Sequence, residues 1–193
     1  MAVINEHNAN NAGGSFHLKP NKFADMTNEE FKQRLGYKKN NNTVTKRAPL
    51  RDTKTLPDSI DWRQKGAVNP VQDQGQCGSC WAFSTVASVE GRNAIKTGRL
   101  VKLSEQQLVD CDNQDGNQGC NGGDMGTAMN YLATTSLESE SDYPYQASTN
   151  QCSLDQSKEV EGDTGAVQVN PNSSSALRAA IADGPVSVAI EAD

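Results

Sequence analysis

Histidine is scarce in this chain: there are two in 193 residues, His7 and His17, and both fall in the first seventeen positions. Long apolar runs are missing as well. No stretch approaches the ~20 consecutive apolar residues that a membrane-spanning helix needs, so such a helix is excluded, and Met1 to Asn11 are too polar for a signal peptide. A basic surplus is also lacking. With 18 Lys+Arg against 24 Asp+Glu the net charge is −6, which argues against a nucleic-acid-binding surface. No internal repeat is present. Apolar residues at 35% together with 16 glycines are enough for one or two modest cores, which sets wholesale disorder aside.

Charge divides the chain near Leu56. Residues 1–55 hold 10 Lys+Arg and 5 Asp+Glu, net +5, whereas residues 56–193 hold 8 and 19, net −11. All five cysteines lie between Cys77 and Cys152, in the acidic part. Two units with different tasks are expected, joined by an exposed linker over Lys38 to Pro57, where an Asn run, scattered basic residues and two prolines gather.

Capping grammar marks the helices. Thr27 with Glu30 forms a capping box, Met26 and Phe31 sit at staple positions, and Gly36 is a stop, predicting a helix over 28–35. Ser104 with Gln107, flanked by Leu103 and Leu108, predicts another that runs to Cys111. Residues 81–95 predict a longer helix stopped by Gly98. Stripes at Met125, Ala128, Met129 and Leu132, and at Leu177, Ala180 and Ile181 closed by Gly184 and Pro185, predict two more. Val186, Val188 and Ile190 alternate as a strand would.

The segment Cys77-Gly78-Ser79-Cys80-Trp81 admits three chemistries. A thioredoxin-like redox pair needs a buried strand feeding the helix, but residues 69–76 are polar and rich in turn formers. Zinc held by Cys77, Cys80, Cys111 and Cys120 is disfavoured because the last two are nine positions apart, far from the short spacing of metal knuckles. The remaining reading makes one cysteine a nucleophile and pairs the other four, which accounts for the odd count. Cys80 is the candidate nucleophile. It opens a helix, where unsatisfied amides and the macrodipole favour a thiolate, while Cys77 lies on the approach loop.

The eleven residues from Gln74 to Ser84, Gln-Gly-Gln-Cys-Gly-Ser-Cys-Trp-Ala-Phe-Ser, closely resemble the active-site segment of papain-like cysteine proteases, the papain and cathepsin L group. Leu56 to Arg63 is similar to the start of the mature enzyme, and Leu103 to Cys111 and Gly119 to Gly123 match the family in order and spacing. Ile4, Asn8, Asn21 to Asp25 and Asn28 to Phe31 resemble the second half of a cathepsin L-type propeptide, with Lys19 where the family has glycine.

The resemblance implies an α+β fold, mostly the helical left domain with the start of the β-rich right domain, preceded by a partial helical propeptide. It divides the chain into residues 1–55, propeptide and linker, and residues 56–193, a peptidase domain. In such an enzyme the Cys80 thiolate attacks a peptide carbonyl, and the oxyanion meets the Cys80 amide and the Gln74 side chain. Gly122 and Gly123 let the substrate backbone approach, and Met125 and Ala189 line a hydrophobic pocket. The family pairing is Cys77 with Cys120 and Cys111 with Cys152. Neither cofactor nor metal is implied. The expected partners are protein and peptide substrates and the chain's own propeptide, which in the family lies reversed in the cleft; the charge split of +5 against −11 suits that contact. A monomer is expected, with no nucleic-acid or membrane partner, in a lysosomal, vacuolar or extracellular setting.

The family's histidine and asparagine lie ~130 to 150 residues after the cysteine, at roughly positions 210 to 230, so neither is expected within these 193 residues. The expectation is therefore a cysteine endopeptidase proenzyme truncated at both ends and inactive as an isolated chain. The other reading is a non-catalytic inhibitor or binding protein built on the propeptide. Asn41 and Asn172 open glycosylation sequons.

Overall fold

Most of the helices begin where the capping residues place them. A computed structural model describes residues 2–40, 46–48, 55–113, 115–162 and 165–190. The chain divides into two units, residues up to Arg34 and residues from Leu35 onward.

The first unit holds helices α1 (Ala2–Asn10) and α2 (Asn28–Lys32). Helix α1 carries no sequence stripe and buries no residue. It is tied down at Asn8, whose side chain donates to the Leu18 carbonyl at 2.9 Å and accepts from the Leu18 amide at 2.8 Å. At α2 both halves of the capping box form. Glu30 N–H donates to Thr27 Oγ1 at 3.2 Å, and Thr27 N–H donates to Glu30 Oε2 at 2.7 Å. The Thr27 amide, together with the Thr27 hydroxyl that donates to Glu30 Oε2 at 3.1 Å, holds the Glu30 carboxyl below its ordinary range. Phe31 packs edge-on against Phe23, ring centroids 5.5 Å apart. The helix stops at Lys32, short of the expected Leu35, and Gly36 does not terminate it. Gly36 belongs to the second unit, where it is buried for a different reason described below.

The second unit is built around α3 (Cys80–Thr97), packed against α4 (Glu105–Cys111) and α5 (Met125–Tyr131). Trp81, Ala82, Val86, Leu103, Leu108, Ala128 and Leu137 are fully buried and form one cluster. Burying a Leu or Val side chain contributes about 1.5–3 kcal/mol, so these positions dominate the unit's hydrophobic stabilisation. Gly98 ends α3 with φ 75°, a left-handed cap that L-residues adopt at a cost. Ser104 caps α4 by accepting from Gln107 N–H at 3.0 Å. The reciprocal bond is absent because the Gln107 side chain bridges the Ser136 carbonyl and the Glu138 amide.

Strand content among the described residues is small: β1 (Leu137–Glu138) pairs antiparallel with β2 (Glu159–Glu161). Helix α6 (Ser174–Asp183) forms where expected, but it buries Ala176 and Ala179 and leaves Leu177 36% exposed. The buried face is thus offset from the expected stripe. Residues 185–190 form no strand. Val188 and Ile190 are exposed, and no described strand lies alongside to supply ladder hydrogen bonds. The segment is held by Ser187, which donates to the Ser84 carbonyl at 2.7 Å.

Part of the expected linker is paired rather than loose. Ala48 N–H donates to the Gln168 carbonyl at 2.9 Å and Gln168 N–H to the Lys46 carbonyl at 3.0 Å. Residues 41–45 and 49–54 of that stretch, Asn41 included, lie outside the described residues. Asn172 is exposed, with φ 54°, immediately before the Ser173 N-cap of α6. Among the described residues no helix is long and apolar enough to cross a membrane.

Candidate active site

Cys80 is the first residue of α3 and the free cysteine of the five. Cys77 is joined to Cys120, and Cys111 to Cys152. The first bridge ties the approach loop to the turn at Gly119–Asn121, and Gly78 N–H adds a bond to the Cys120 carbonyl at 2.9 Å. Cys77 is fully buried and Cys80 half-buried, so the structure separates an inert half-cystine from an accessible thiol three residues on.

Gln74 and Cys80 share the wall of an open cleft of about 320 Å³. Gln74 donates through Nε2 to the Cys77 carbonyl at 2.8 Å, which fixes its carboxamide on the approach loop. Ser79, the residue before the thiol, sits in the N-cap position yet makes no side-chain cap bond. Its hydroxyl meets that of Tyr145 at 2.5 Å, and Tyr145 in turn donates to the Gln74 carbonyl at 2.7 Å.

Three charged groups line the same cleft: Glu90, Lys102 and Glu105. Both glutamates are 3% exposed. Lys102 Nζ lies 3.4 Å from Glu90 and donates to Glu105, and the Leu103 amide donates to Glu90 at 2.8 Å. Burial raises the Glu105 carboxyl to about 7, against the pull of Lys102, with Glu90 adding to the rise. Sequence reasoning missed this trio and Tyr145. No periodicity or motif spacing joins positions 90, 102, 105 and 145 in the sequence.

A second track of main chain runs past the turn. Gly123 N–H donates to the Gly36 carbonyl at 2.8 Å and Lys38 N–H to the Gly123 carbonyl at 2.8 Å, a parallel bridge centred on Tyr37. Only glycine fits here. A Cβ on Gly36 would stand 1.8 Å from the Gly78 carbonyl oxygen, and one on Gly122 would stand 2.6 Å from the Gly36 oxygen. Nearby, Lys38 Nζ donates to Gln118 at 2.7 Å and the Asn40 amide donates to Asp124 at 3.2 Å.

Met125 is half-buried against the core, and Ala189 is exposed on the irregular 185–190 segment; neither borders the cleft at Cys80. Among the described residues no group of three or more His, Cys, Asp or Glu is arranged to hold a metal ion.

A free cysteine opening the central helix, with a glutamine on its approach loop and two disulfides in an α+β fold, is the layout of a papain-type thiol protease. Residues 56–193 match the model of the papain family of cysteine proteases, and residues 1–31 match the cathepsin propeptide inhibitor domain. The chain belongs to the papain family. It is 43% identical to procathepsin L of Mus musculus over 198 residues, covering 100% of this chain and 59% of that protein. It is 46% identical to vignain of Phaseolus vulgaris over 200 residues, covering 98% of this chain and 55% of vignain. Among solved structures, digestive procathepsin L 3 of Tenebrio molitor larval midgut superposes with a TM-score of 0.81 at 40% identity, covering 93% of this chain and 59% of that one. The chain thus spans between half and two thirds of the length of these relatives.

Proposed function

We propose that this chain carries the nucleophile side of a cathepsin L-like cysteine endopeptidase in its proenzyme form. Cys80 is the attacking thiolate, and the Cys80 amide with the Gln74 carboxamide receives the oxyanion. The observation that carries the reading is the free Cys80 at the start of α3, in one cleft with Gln74, while the other four cysteines are bridged.

Substrate backbone binds along Gly122 and Gly123. In support, Gly123 already offers its amide and carbonyl to an extended segment, residues 36–38. That segment runs parallel to Gly123, and while it is seated it takes the hydrogen-bonding edge a substrate would use. Residues 1–55 are thus read as an inhibitory propeptide with its linker and residues 56–193 as peptidase. Met125 and Ala189 are assigned, by family resemblance, to the wall of a hydrophobic substrate pocket, with Met125 also serving the core. Two disulfides suit an oxidising setting, lysosomal, vacuolar or extracellular, and the protein acts as a monomer.

Residues 35–193 contain no histidine, so this stretch does not provide the imidazole that holds the thiolate and protonates the leaving amine. The 193 residues taken alone are accordingly read as a poor catalyst with a competent thiol. An epoxysuccinyl thiol reagent tests this: it is expected to label Cys80 stoichiometrically, while a hydrophobic dipeptidyl substrate is cleaved orders of magnitude more slowly than by a complete family member. Absence of labelling would overturn the nucleophile assignment, and full-rate cleavage would overturn the inactivity. A purely inhibitory role for the propeptide-like arm would show as tight inhibition of other papain-like proteases by a Cys80→Ala chain.

A further inference from the structure

Tyr145 lies 65 residues beyond the nucleophile in sequence, yet its hydroxyl stands between the two residues that frame Cys80. A carbonyl can only accept, so the Tyr145 O–H must donate to the Gln74 oxygen, 2.7 Å away. That spends its single proton. The 2.5 Å contact with Ser79 must then be a bond from the Ser79 hydroxyl to the phenol oxygen. The Ser79 hydroxyl is thereby committed to the phenol, and with its backbone at φ −100°, ψ 14° instead of extended, this serine in the N-cap position makes no cap bond. Serine at that position ordinarily accepts from an amide of the first turn.

We propose that Tyr145 is a positioning residue for Cys80: its hydroxyl holds the Ser79 side chain off the N-terminus of α3 and pins the Gln74 main chain beside the thiol. This rests on the reading of Cys80 as the nucleophile. With Ser79 held aside, the first-turn amides keep their positive end directed at the thiolate instead of sharing it with a serine oxygen. The phenol is braced for this task. Its ring packs edge-on against Phe83, one turn into α3, with centroids 4.9 Å apart, and its own amide donates to Glu140 at 2.9 Å. A methyl group on Gly75 would stand 3.1 Å from the Ala147 Cβ, so the 145–147 segment also backs the loop that carries Gln74. Burial raises the phenol above its ordinary range, which keeps the proton it donates.

The test is alkylation of the 193-residue chain by iodoacetamide at pH 6 and pH 9, with Cys80 as the one unbridged thiol. Tyr145→Phe releases Ser79 to cap the helix, and the pH 6 rate is expected to fall about two- to fivefold. At pH 9, above the ordinary thiol range, the rates should agree. Adding Ser79→Ala to Tyr145→Phe removes the competing oxygen and should restore the pH 6 rate. Ser79→Ala alone, which leaves the phenol in place, should react as the parent does. An unchanged pH 6 rate in Tyr145→Phe, an equal loss at both pH values, failure of Ser79→Ala to restore it, or a drop in Ser79→Ala alone would overturn the inference. If the parent thiol reacts at pH 6 no faster than free cysteine, the nucleophile assignment fails first and this inference falls with it.

Discussion

The carbonyl of Gly36 accepts the amide of Gly123 at 2.8 Å, and Gly36 can occupy this position against Gly78 only because it has no side chain. A Cβ there would fall 1.8 Å from the Gly78 oxygen, well inside contact distance. Gly36→Ala is therefore predicted to lift the 36–38 segment from the turn. Hydrogen exchange at the Gly123 and Lys38 amides should quicken about tenfold, the loss of roughly one net hydrogen bond or more. Unchanged protection of both amides would show that the backbone shifts to absorb the methyl.

Glu105 makes stability depend on pH. Its folded-state carboxyl is raised to about 7 from an ordinary 4.5, so between those values the folded protein binds more protons than the unfolded one. The sign follows: this group's contribution is fully present below pH 4.5 and is lost as pH rises through 7. Glu105→Gln removes the titration. The variant should gain on the parent between pH 4.5 and pH 7.5, by up to about 3 kcal/mol, as read by urea unfolding across that range. A constant difference between the two proteins would contradict the raised carboxyl.

The bridge between Cys111 and Cys152 spans 41 positions. For a loop of that size the chain-entropy relation gives roughly 4 kcal/mol. Replacing both cysteines with alanine should lower unfolding stability by about that amount. The Cys77–Cys120 bridge differs. Its removal loosens the loop next to the nucleophile, so the same double replacement there should change the alkylation rate as well as stability.

Asp110 organises the loop that carries Tyr145. Its carboxylate accepts from Gln106 Nε2 at 2.8 Å, the Asn150 amide at 2.7 Å and the Tyr143 hydroxyl at 3.0 Å, while only 7% exposed. Asp110→Ala removes the acceptor shared by the buried Tyr143 hydroxyl, Gln106 and the Asn150 amide. A loss of about 3 kcal/mol or more is expected in thermal or urea unfolding. Asp110→Asn, which retains acceptors, should lose less.

What the sequence determined by itself was local or motif-borne. Thr27, Ser104 and Gly98 act within a turn of their own helices, so their roles follow from short-range geometry and were readable in one dimension. The segment from Gln74 to Ser84 carried the family because its cysteines, glutamine and tryptophan are needed together for one chemistry. Even there, local grammar overreached. Gly36 has the composition of a helix stop but serves a close approach to Gly78, 42 positions away, and Gln107 has the spacing of a capping partner but is drawn to Glu138 by a bond only the fold makes available. Leu177 fell on a stripe whose burial depended on what packs against α6, and residues 186–190 alternated like a strand without a partner to pair with. Tertiary structure alone brought Tyr145 to Ser79 and set Glu90, Lys102 and Glu105 along one cleft. Hydrogen bonds and charge–charge contacts between distant positions leave no periodicity in sequence, and their energies depend on a desolvation that exists only once the chain has folded.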